Sequence, residues 1–374
     1  MIDRDEFSAW LRLLETPGVG REAARALLAA FGSPEAVLNA STEARKAVVP
    51  VAPATALAQI SGPFEARLGA GWQWLTSGDE ARDVVALGDP RYPQALLDSP
   101  DPPLLLYVRG RIELLERPAI AIVGSRNATA QGRETAREFA HALADAGFTI
   151  VSGLAVGIDA AAHEGALGTA ASTIAVVATG LDRVYPARNR DLATRIAQQG
   201  ALLSEYVPGT PPRKEHFPQR NRLISGLARG VLVVEATLSS GSLITARLAG
   251  EQGRDVFAIP GSIHSPFAKG CHKLIREGAK LVETASDVLD EIDPQRRRVD
   301  IAAEAAAQTD APSHPVLAAM GYDPVGVDAL VARTNVAPEA IVAALVTLEL
   351  SGEVAALPGG RWQRIHRQRP ARGE

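Results

Sequence analysis

The sequence is poor in cysteine and in aromatic side chains. Its 374 residues include one cysteine, Cys271, so no disulfide can form within the chain, as expected in a reducing compartment. Aromatic residues make up 5% of the chain, and no run of about 18 apolar residues occurs, so we expect no membrane span. The charged N-terminus, Met1 to Glu6, has no signal-peptide core. We therefore expect a cytoplasmic protein that makes no membrane contact.

The sequence also has no excess of positive charge and none of the standard nucleotide fingerprints. A formal net charge of −4 excludes bulk electrostatic binding of a polyanion, so any nucleic-acid site must be local. No G-x-x-x-x-G-K-[ST] motif occurs, and Gly124 and Gly132 do not form G-x-G-x-x-G. The seven histidines show no metal-ligand spacing with Cys271. We expect no cofactor and no metal.

Asp159 and His163 are four residues apart on one predicted helix face. They form either an acid/base pair or hydrogen bonds that hold the glycine-containing loop before the helix, and the sequence favours the second interpretation. No nucleophile with an adjacent base is evident elsewhere. The sequence therefore predicts that the protein is not an enzyme.

A basic segment runs from Arg213 to Arg229. It contains five Lys/Arg residues and one acid, Glu215, so it carries a charge of about +4 on an acidic chain. An aromatic residue within such a patch suits a nucleic-acid backbone and its unpaired bases. The alternative is a solvated helix face with one buried phenylalanine. The side chains concerned are Lys214, Phe217, Arg220, Asn221 and Arg222.

Residues 85–292 are predicted to form the core domain, and from residue 110 onward they alternate apolar strand patterns with helical patterns. Strands are predicted at 119–123, 149–151, 173–178, 201–204, 231–235, 255–259 and 280–282. Helices are predicted at 133–146, 157–167, 189–199, 243–252 and 271–277. The proline-rich residues 89–107 are interpreted as an extended lead-in. This order predicts an α/β fold with a Rossmann-like, doubly wound, mostly parallel sheet.

The two flanking regions differ from this core. Residues 1–84 predict a helical, helix-hairpin-helix or SAM-like domain around Thr16-Pro17-Gly18-Val19-Gly20. Its hairpin amides either meet a DNA phosphate or belong to an ordinary αα-hairpin. Residues 293–314 predict a linker, and residues 315–367 a winged helix. The recognition helix of that domain has Glu339 and Glu349 but no Lys or Arg, which favours a protein contact or a packing role.

Three turns of the predicted core contain glycine and follow strands. They are Gly124-Ser125-Arg126-Asn127, the segment 152–159 and Ser239-Ser240-Gly241-Ser242. In an open α/β sheet, ligands bind outside the carboxyl ends of the strands, where glycines let backbone amides approach an oxyanion. Three such turns on one sheet predict a phosphate-bearing ligand longer than one nucleotide.

Several motifs follow one another between about residues 90 and 292. They are Val123-Gly124-Ser125-Arg126, residues 152–159 with His163, residues 180–186, Phe217-Pro218-Gln219-Arg220-Asn221-Arg222, residues 240–246, residues 256–261 and residues 274–279. In this order they resemble the DNA processing protein A (DprA/Smf) family. The helical head and the winged-helix tail fit the longer members.

The resemblance implies a single-stranded DNA binding protein of natural transformation, or competence, and of DNA recombination. Such proteins protect incoming strands, load the RecA recombinase onto them, dimerise through the core and are not known as enzymes. The implied site is a basic pocket with Arg126, Lys214 and Phe217. Arg220, Asn221 and Arg222 either line it or hold the Phe217 loop through carbonyl hydrogen bonds, and residues 180–186 are interpreted as structural. The predicted DNA-binding residues are Gly124, Ser125, Arg126, Gly153, Lys214, Phe217, Arg220, Asn221, Arg222, Ser240, Gly241 and Ser242.

Two other functions remain as alternatives. A nucleotide-base-releasing hydrolase of the lysine-decarboxylase-like type shares the fold class, although its Pro-Gly-Gly-x-Gly-Thr motif is absent. A transcription factor built on the winged helix is disfavoured by the acidic recognition helix.

Overall fold

The computed structural model describes residues 2–60, 62–77, 81–293, 314–321 and 323–365. The predicted linker, residues 293–314, lies outside the described residues except for its two end positions. The last two residues of the predicted winged helix, 366 and 367, also lie outside them.

The N-terminal region is helical, as predicted. Its helices are α1 (Arg4–Glu15), α2 (Arg21–Phe31), α3 (Pro34–Asn39), α4 (Thr42–Lys46), α5 (Val51–Ala56) and α6 (Phe64–Thr76). Asp3 caps α1 by accepting a hydrogen bond from the Glu6 amide at 2.9 Å. Gly18, in the turn between α1 and α2, has a φ of 81°, a conformation that favours glycine.

A nine-stranded sheet forms the centre of the molecule. Its strands are β1 (Arg82–Ala86), β2 (Leu105–Gly110), β3 (Ala119–Val123), β4 (Thr149–Ser152), β5 (Thr173–Val176), β6 (Ala201–Ser204), β7 (Gly230–Val233), β8 (Asp255–Ala258) and β9 (Lys280–Leu281). Their order across the sheet is β1-β2-β6-β5-β4-β3-β7-β8-β9. β2 pairs antiparallel with β1 and β6, and the other pairs are parallel.

Helices cover both faces of this sheet. They are α7 (Gln94–Leu97), α8 (Ala130–Asp145), α9 (Ile158–Ala166), α10 (Arg190–Gln199), α11 (His216–Leu227), α12 (Ser242–Glu251), α13 (Lys269–Arg276) and α14 (Ala285–Ile292), with 3-10 turns at Ile112–Glu116 and Ala187–Asn189. Every residue of β3 to β7 is buried, as expected for parallel strands packed on two sides. The predicted doubly wound α/β sheet is confirmed.

Two segments differ from the sequence-based expectation. Residues 105–107, the end of the segment interpreted as an extended lead-in, belong to the internal strand β2. Strand β1 crosses the predicted boundary between residues 84 and 85. The segment after Lys214 is helix α11, so Phe217 lies in the first turn of a helix and not in a loop. Pro218 is tolerated there because amides in the first turn have no partner within the helix.

The chain changes direction across the sheet between β3 and β7. From β3 it runs outward through β4, β5 and β6, and then returns through α11 to β7 on the other side of β3. The carboxyl ends of these two neighbouring strands therefore open a crevice between diverging loops. This switch point is where open α/β sheets bind ligands.

The C-terminal region is a winged helix, as predicted. It contains α15 (Pro315–Met320), β10 (Val325–Gly326), α16 (Val327–Thr334), α17 (Pro338–Leu350), β11 (Val354–Leu357) and β12 (Arg361–Arg364). The strands form a small antiparallel sheet in the order β10-β12-β11. Among the described helices, none alone is long and apolar enough to span a membrane. The pair α16 and α17 reaches the required length and apolar composition only when the two are counted together, and the chain bends by 112° between them.

A network of charged side chains joins the helical head to the core. Asp101, which precedes β2, pairs with Arg21 at 2.8 Å and with Arg25 at 2.6 Å, and both arginines belong to α2. Arg222 of α11 lies 3.2 Å from the same carboxylate and 2.5 Å from Glu205, which follows β6. Burial raises the pKa of Asp101, but the three guanidinium groups outweigh it and hold that pKa below its usual value.

Candidate nucleic-acid interface

A cleft of about 640 Å³ lies at the switch point between β3 and β7. Its walls are the turn after β3, the loop after β7 and the first two turns of α11. All three elements follow from the topology, because parallel strands bring their carboxyl ends to one edge of the sheet.

Phe217 forms an aromatic wall of this cleft. Its ring is half-buried, and the residue belongs to none of the hydrophobic clusters formed by the described residues. The guanidinium carbon of Arg126 lies 5.9 Å from the ring centroid, within the range of a cation–π contact. The ring of Tyr185 lies 5.6 Å away, centroid to centroid, with 53° between the ring planes. Phe217 is therefore a cleft side chain and not a core residue.

Two exposed cations flank the aromatic wall. Arg126 belongs to the turn after β3, and Lys214 precedes α11 by two residues. Within the part of the chain that the structure describes, neither is paired with a carboxylate within 4.0 Å. Their charges are therefore available to an anion that enters the cleft.

The opposite wall offers small polar side chains and a helix N-terminus. The hydroxyl groups of Ser240 and Ser242 lie 2.7 Å apart, and Gly241 precedes α12 without a side-chain cap. The amide of Ser125 is not available, since it donates to the carbonyl of Glu235 at 2.7 Å and so joins the β3 and β7 loops. The N-terminus of α12 carries partial positive charge that favours an anion.

The loop between β4 and α9 is held from beneath by two buried side chains. Asp159 accepts hydrogen bonds from the amides of Gly153 at 3.1 Å and Ala155 at 3.3 Å. Burial raises the pKa of Asp159, and Arg220 and these amides oppose that shift. The structure thus shows the structural role that the sequence favours for this carboxylate.

His163 completes the support of this loop. Its Nε2 accepts from the amide of Leu154 at 3.3 Å, so Nδ1 carries the proton and donates to Thr173 Oγ1 at 2.7 Å. Leu154 has a φ of 58°, which a branched side chain adopts only when its surroundings impose it. Burial lowers the pKa of His163 to about 3, so the imidazole is neutral at pH 7.

Arg220 lies at the floor of the cleft. Its Nη1 donates to the carbonyl of Val176 at 2.6 Å, and burial lowers its pKa to about 10 against the attraction of Asp159. A Cβ atom on Gly153 would collide with both the guanidinium and that carboxylate, so this position requires glycine. Arg220 therefore lines the pocket and also holds the end of β5 through a hydrogen bond to a carbonyl group.

Ten of the twelve predicted residues line the cleft. Gly153 lies beneath it, and Arg222 points away from it into the ion-pair network with Asp101 and Glu205. The sequence interpretation missed Tyr185, which lies in the segment 180–186 that was expected to be structural. An aromatic residue shortly after a central strand was the available signal.

The described residues contain no group of three or more His, Cys, Asp or Glu side chains that could hold a metal. Cys271 is buried, and burial raises the pKa of its thiol to about 12. What the cleft combines is an aromatic ring, unpaired cations and serine-rich turns, which is a binding surface for phosphates and flat rings.

Comparisons with known proteins agree with this description. A family model for DNA recombination-mediator protein A matches residues 83–293, and one for the DprA winged helix domain matches residues 301–360. The DNA processing protein DprA of Streptococcus pneumoniae is 51% identical over 205 residues, which cover 55% of this chain and 72% of that protein. Protein Smf of Synechocystis is 39% identical over 316 residues, covering 74% of this chain and 78% of that protein.

Two solved structures are also similar. The X-ray structure of the Streptococcus pneumoniae protein gives a TM-score of 0.66 at 40% identity and covers 76% of this chain and 97% of that one. DNA processing protein A of Helicobacter pylori, solved in work on its single-stranded DNA binding mode, gives a TM-score of 0.53 at 32% identity. It covers 59% of this chain and 98% of that one.

Proposed function

The chain belongs to the DNA recombination-mediator protein A (DprA/Smf) family, and from that membership we propose that it binds single-stranded DNA in the cleft between β3 and β7. Phosphates contact Arg126 and Lys214, and an unpaired base stacks on Phe217. The observation that carries this proposal is the aromatic wall flanked by two unpaired cations at the switch point.

A single strand suits this cleft better than a duplex. Stacking on Phe217 needs the flat face of a base, which a duplex keeps inside its own stack. Reading a duplex would instead require basic side chains on a helix that enters the major groove, and α17 has none. The protein therefore prefers single strands and does not read their base sequence through hydrogen bonds.

The further roles in this proposal concern partners. The protein protects incoming strands during natural transformation and delivers them to the RecA recombinase, and it acts without catalysis in the cytoplasm. In the same proposal, the protein forms a homodimer through its core domain, residues 85–292. The edge strand β9 supports that part, because among the described strands it has a neighbour on one side only and its Leu281 is 46% exposed.

The test is a binding comparison between oligo(dT), a duplex of matched length and thymidine monophosphate. We expect the single strand to bind more tightly than either, and Phe217→Ala to weaken that binding. Equal affinity for single strand and duplex would refute the proposal. Turnover of the monophosphate that is lost in Asp159→Asn would instead establish the hydrolase alternative.

Light scattering tests the dimer separately. We expect both the full chain and a fragment of residues 85–292 to be dimeric without DNA. A monomer at tens of micromolar in both samples would contradict the homodimer and leave the DNA site unaffected.

A further inference from the structure

Tyr185 presents aromatic surface in the cleft that the fold does not use. It lies beyond the carboxyl end of β5, in the cleft wall beside Phe217, and is 48% exposed. Its hydroxyl group forms no hydrogen bond with any described residue. Tyr206, by contrast, stacks on His216 with centroids 4.0 Å apart and donates its hydroxyl to Gln219 at 3.2 Å.

We propose that Tyr185 forms a second base-stacking subsite, which takes the unpaired nucleobase next to the one on Phe217. This inference rests on the proposed binding of single-stranded DNA and extends it from one base to two. Nucleobases are the matching ligand because a tyrosine ring offers a large apolar face at a low cost in side-chain entropy.

The geometry of the two rings defines how the bases lie. The rings are already in contact at 5.6 Å, so no base fits between them and each offers a separate face. Their planes are tilted by 53°, so two adjacent bases on these faces cannot remain stacked on each other. The bound strand must therefore unstack at this step.

The need to unstack two bases makes the affinity depend on the base composition of the strand. Adenine bases stack strongly in a single strand, whereas thymines stack weakly, so the tilt makes oligo(dA) more costly to bind than oligo(dT). We expect the wild-type protein to prefer oligo(dT). Removing the second subsite should reduce that preference, since only one base then has to leave the stack.

A packing role for Tyr185 makes a different prediction. If the side chain only fixes the orientation of Phe217, then Tyr185→Leu, which keeps apolar bulk, should bind DNA as well as the wild type. If the ring is a stacking surface, Tyr185→Phe should bind like the wild type, and Tyr185→Leu and Tyr185→Ala should both weaken binding by about 5- to 150-fold.

The decisive experiment is an abasic scan. A single abasic residue is placed at each position of an oligo(dT) strand, and affinities are measured for the wild type, Phe217→Ala, Tyr185→Ala and Tyr185→Leu, with thermal melting as a folding control. We expect adjacent abasic positions to weaken wild-type binding. One of them should become neutral in Phe217→Ala, and its neighbour should become neutral in both Tyr185 variants.

Three outcomes would overturn the second subsite. They are wild-type affinity of Tyr185→Ala, wild-type affinity of Tyr185→Leu, and an abasic profile that the Tyr185 variants leave unchanged while Phe217→Ala alters it. In each of them the proposed function stands. Failure of the wild type to bind oligo(dT) would instead refute the proposed function itself.

Discussion

The contributions of charge and stacking in the cleft should be separable by salt. Arg126→Ala and Lys214→Ala each remove a phosphate contact, so each should lower the salt slope of log affinity by roughly 0.7 for a single strand. Between 50 and 200 mM salt, that difference amounts to about 2.6-fold in affinity per contact. Phe217→Ala removes no charge and should weaken binding by about 1–3 kcal/mol at every salt concentration.

Because Arg126 lies over the Phe217 ring, the effects of the two substitutions on the free energy of DNA binding should be coupled. An exposed cation–π contact is worth about 0.5–1 kcal/mol, so the double variant should depart from the sum of the single variants by about that amount. The assay is fluorescence anisotropy of labelled oligo(dT) over a salt series. Lys46→Ala is the charge-matched control, because Lys46 lies on α4 of the helical head and pairs with Glu43.

Three results would contradict this reasoning. A stably folded Phe217→Ala protein with wild-type affinity would show that the ring does not touch DNA. Salt slopes of Arg126→Ala and Lys214→Ala equal to that of the wild type would show that neither contacts a phosphate. A lowered slope in Lys46→Ala would show that the slope reports net charge and not the cleft.

Two further predictions concern stability and the winged helix. Unfolded His163 takes up a proton near pH 6.5, whereas the folded residue stays neutral down to about pH 3, so stability falls as pH drops. We expect the His163 contribution to the free energy of unfolding to fall by about 2 kcal/mol between pH 7 and pH 5. Urea unfolding should show it as the difference in pH dependence between the wild type and His163→Gln. The exposed control His141→Gln should keep the pH dependence of the wild type. Deleting residues from about 296 onward should leave oligo(dT) affinity within tenfold of the wild-type value, about 1.4 kcal/mol, because α17 has no basic residue. A larger loss in anisotropy titrations would place the winged helix in the DNA site.

The parallel part of the sheet could be predicted from the sequence because its strands are short apolar runs between helical patterns. The strands β3 and β6 have the predicted bounds, and the three glycine turns lie where parallel strands require them. β2 could not be recognised in the same way. Its partner β6 follows it in the chain only after three further strands, and the prolines before β2 suggest a linker.

The sequence predicts most of the residues of the site, but it does not predict in which direction each side chain points. Arg220 and Arg222 are two residues apart in one helix, so their side chains leave α11 about 200° apart. One reaches the cleft floor and the other the ion pairs of Asp101. Tyr185 was missed because its contact with Phe217 joins segments 32 residues apart, and the local signal, an aromatic residue after β5, does not indicate that partner.

The ion-pair network at Asp101 makes α11 a shared element of two regions. One end of this helix carries Phe217 in the cleft, and Arg222, five residues on, shares the Asp101 carboxylate with Arg21 and Arg25 of the head. A ligand of the head that drew those arginines away would change the partners of Arg222 and so act on the helix that holds the stacking ring. Linkage between two sites is reciprocal, so DNA in the cleft would alter the affinity of that ligand by the same factor.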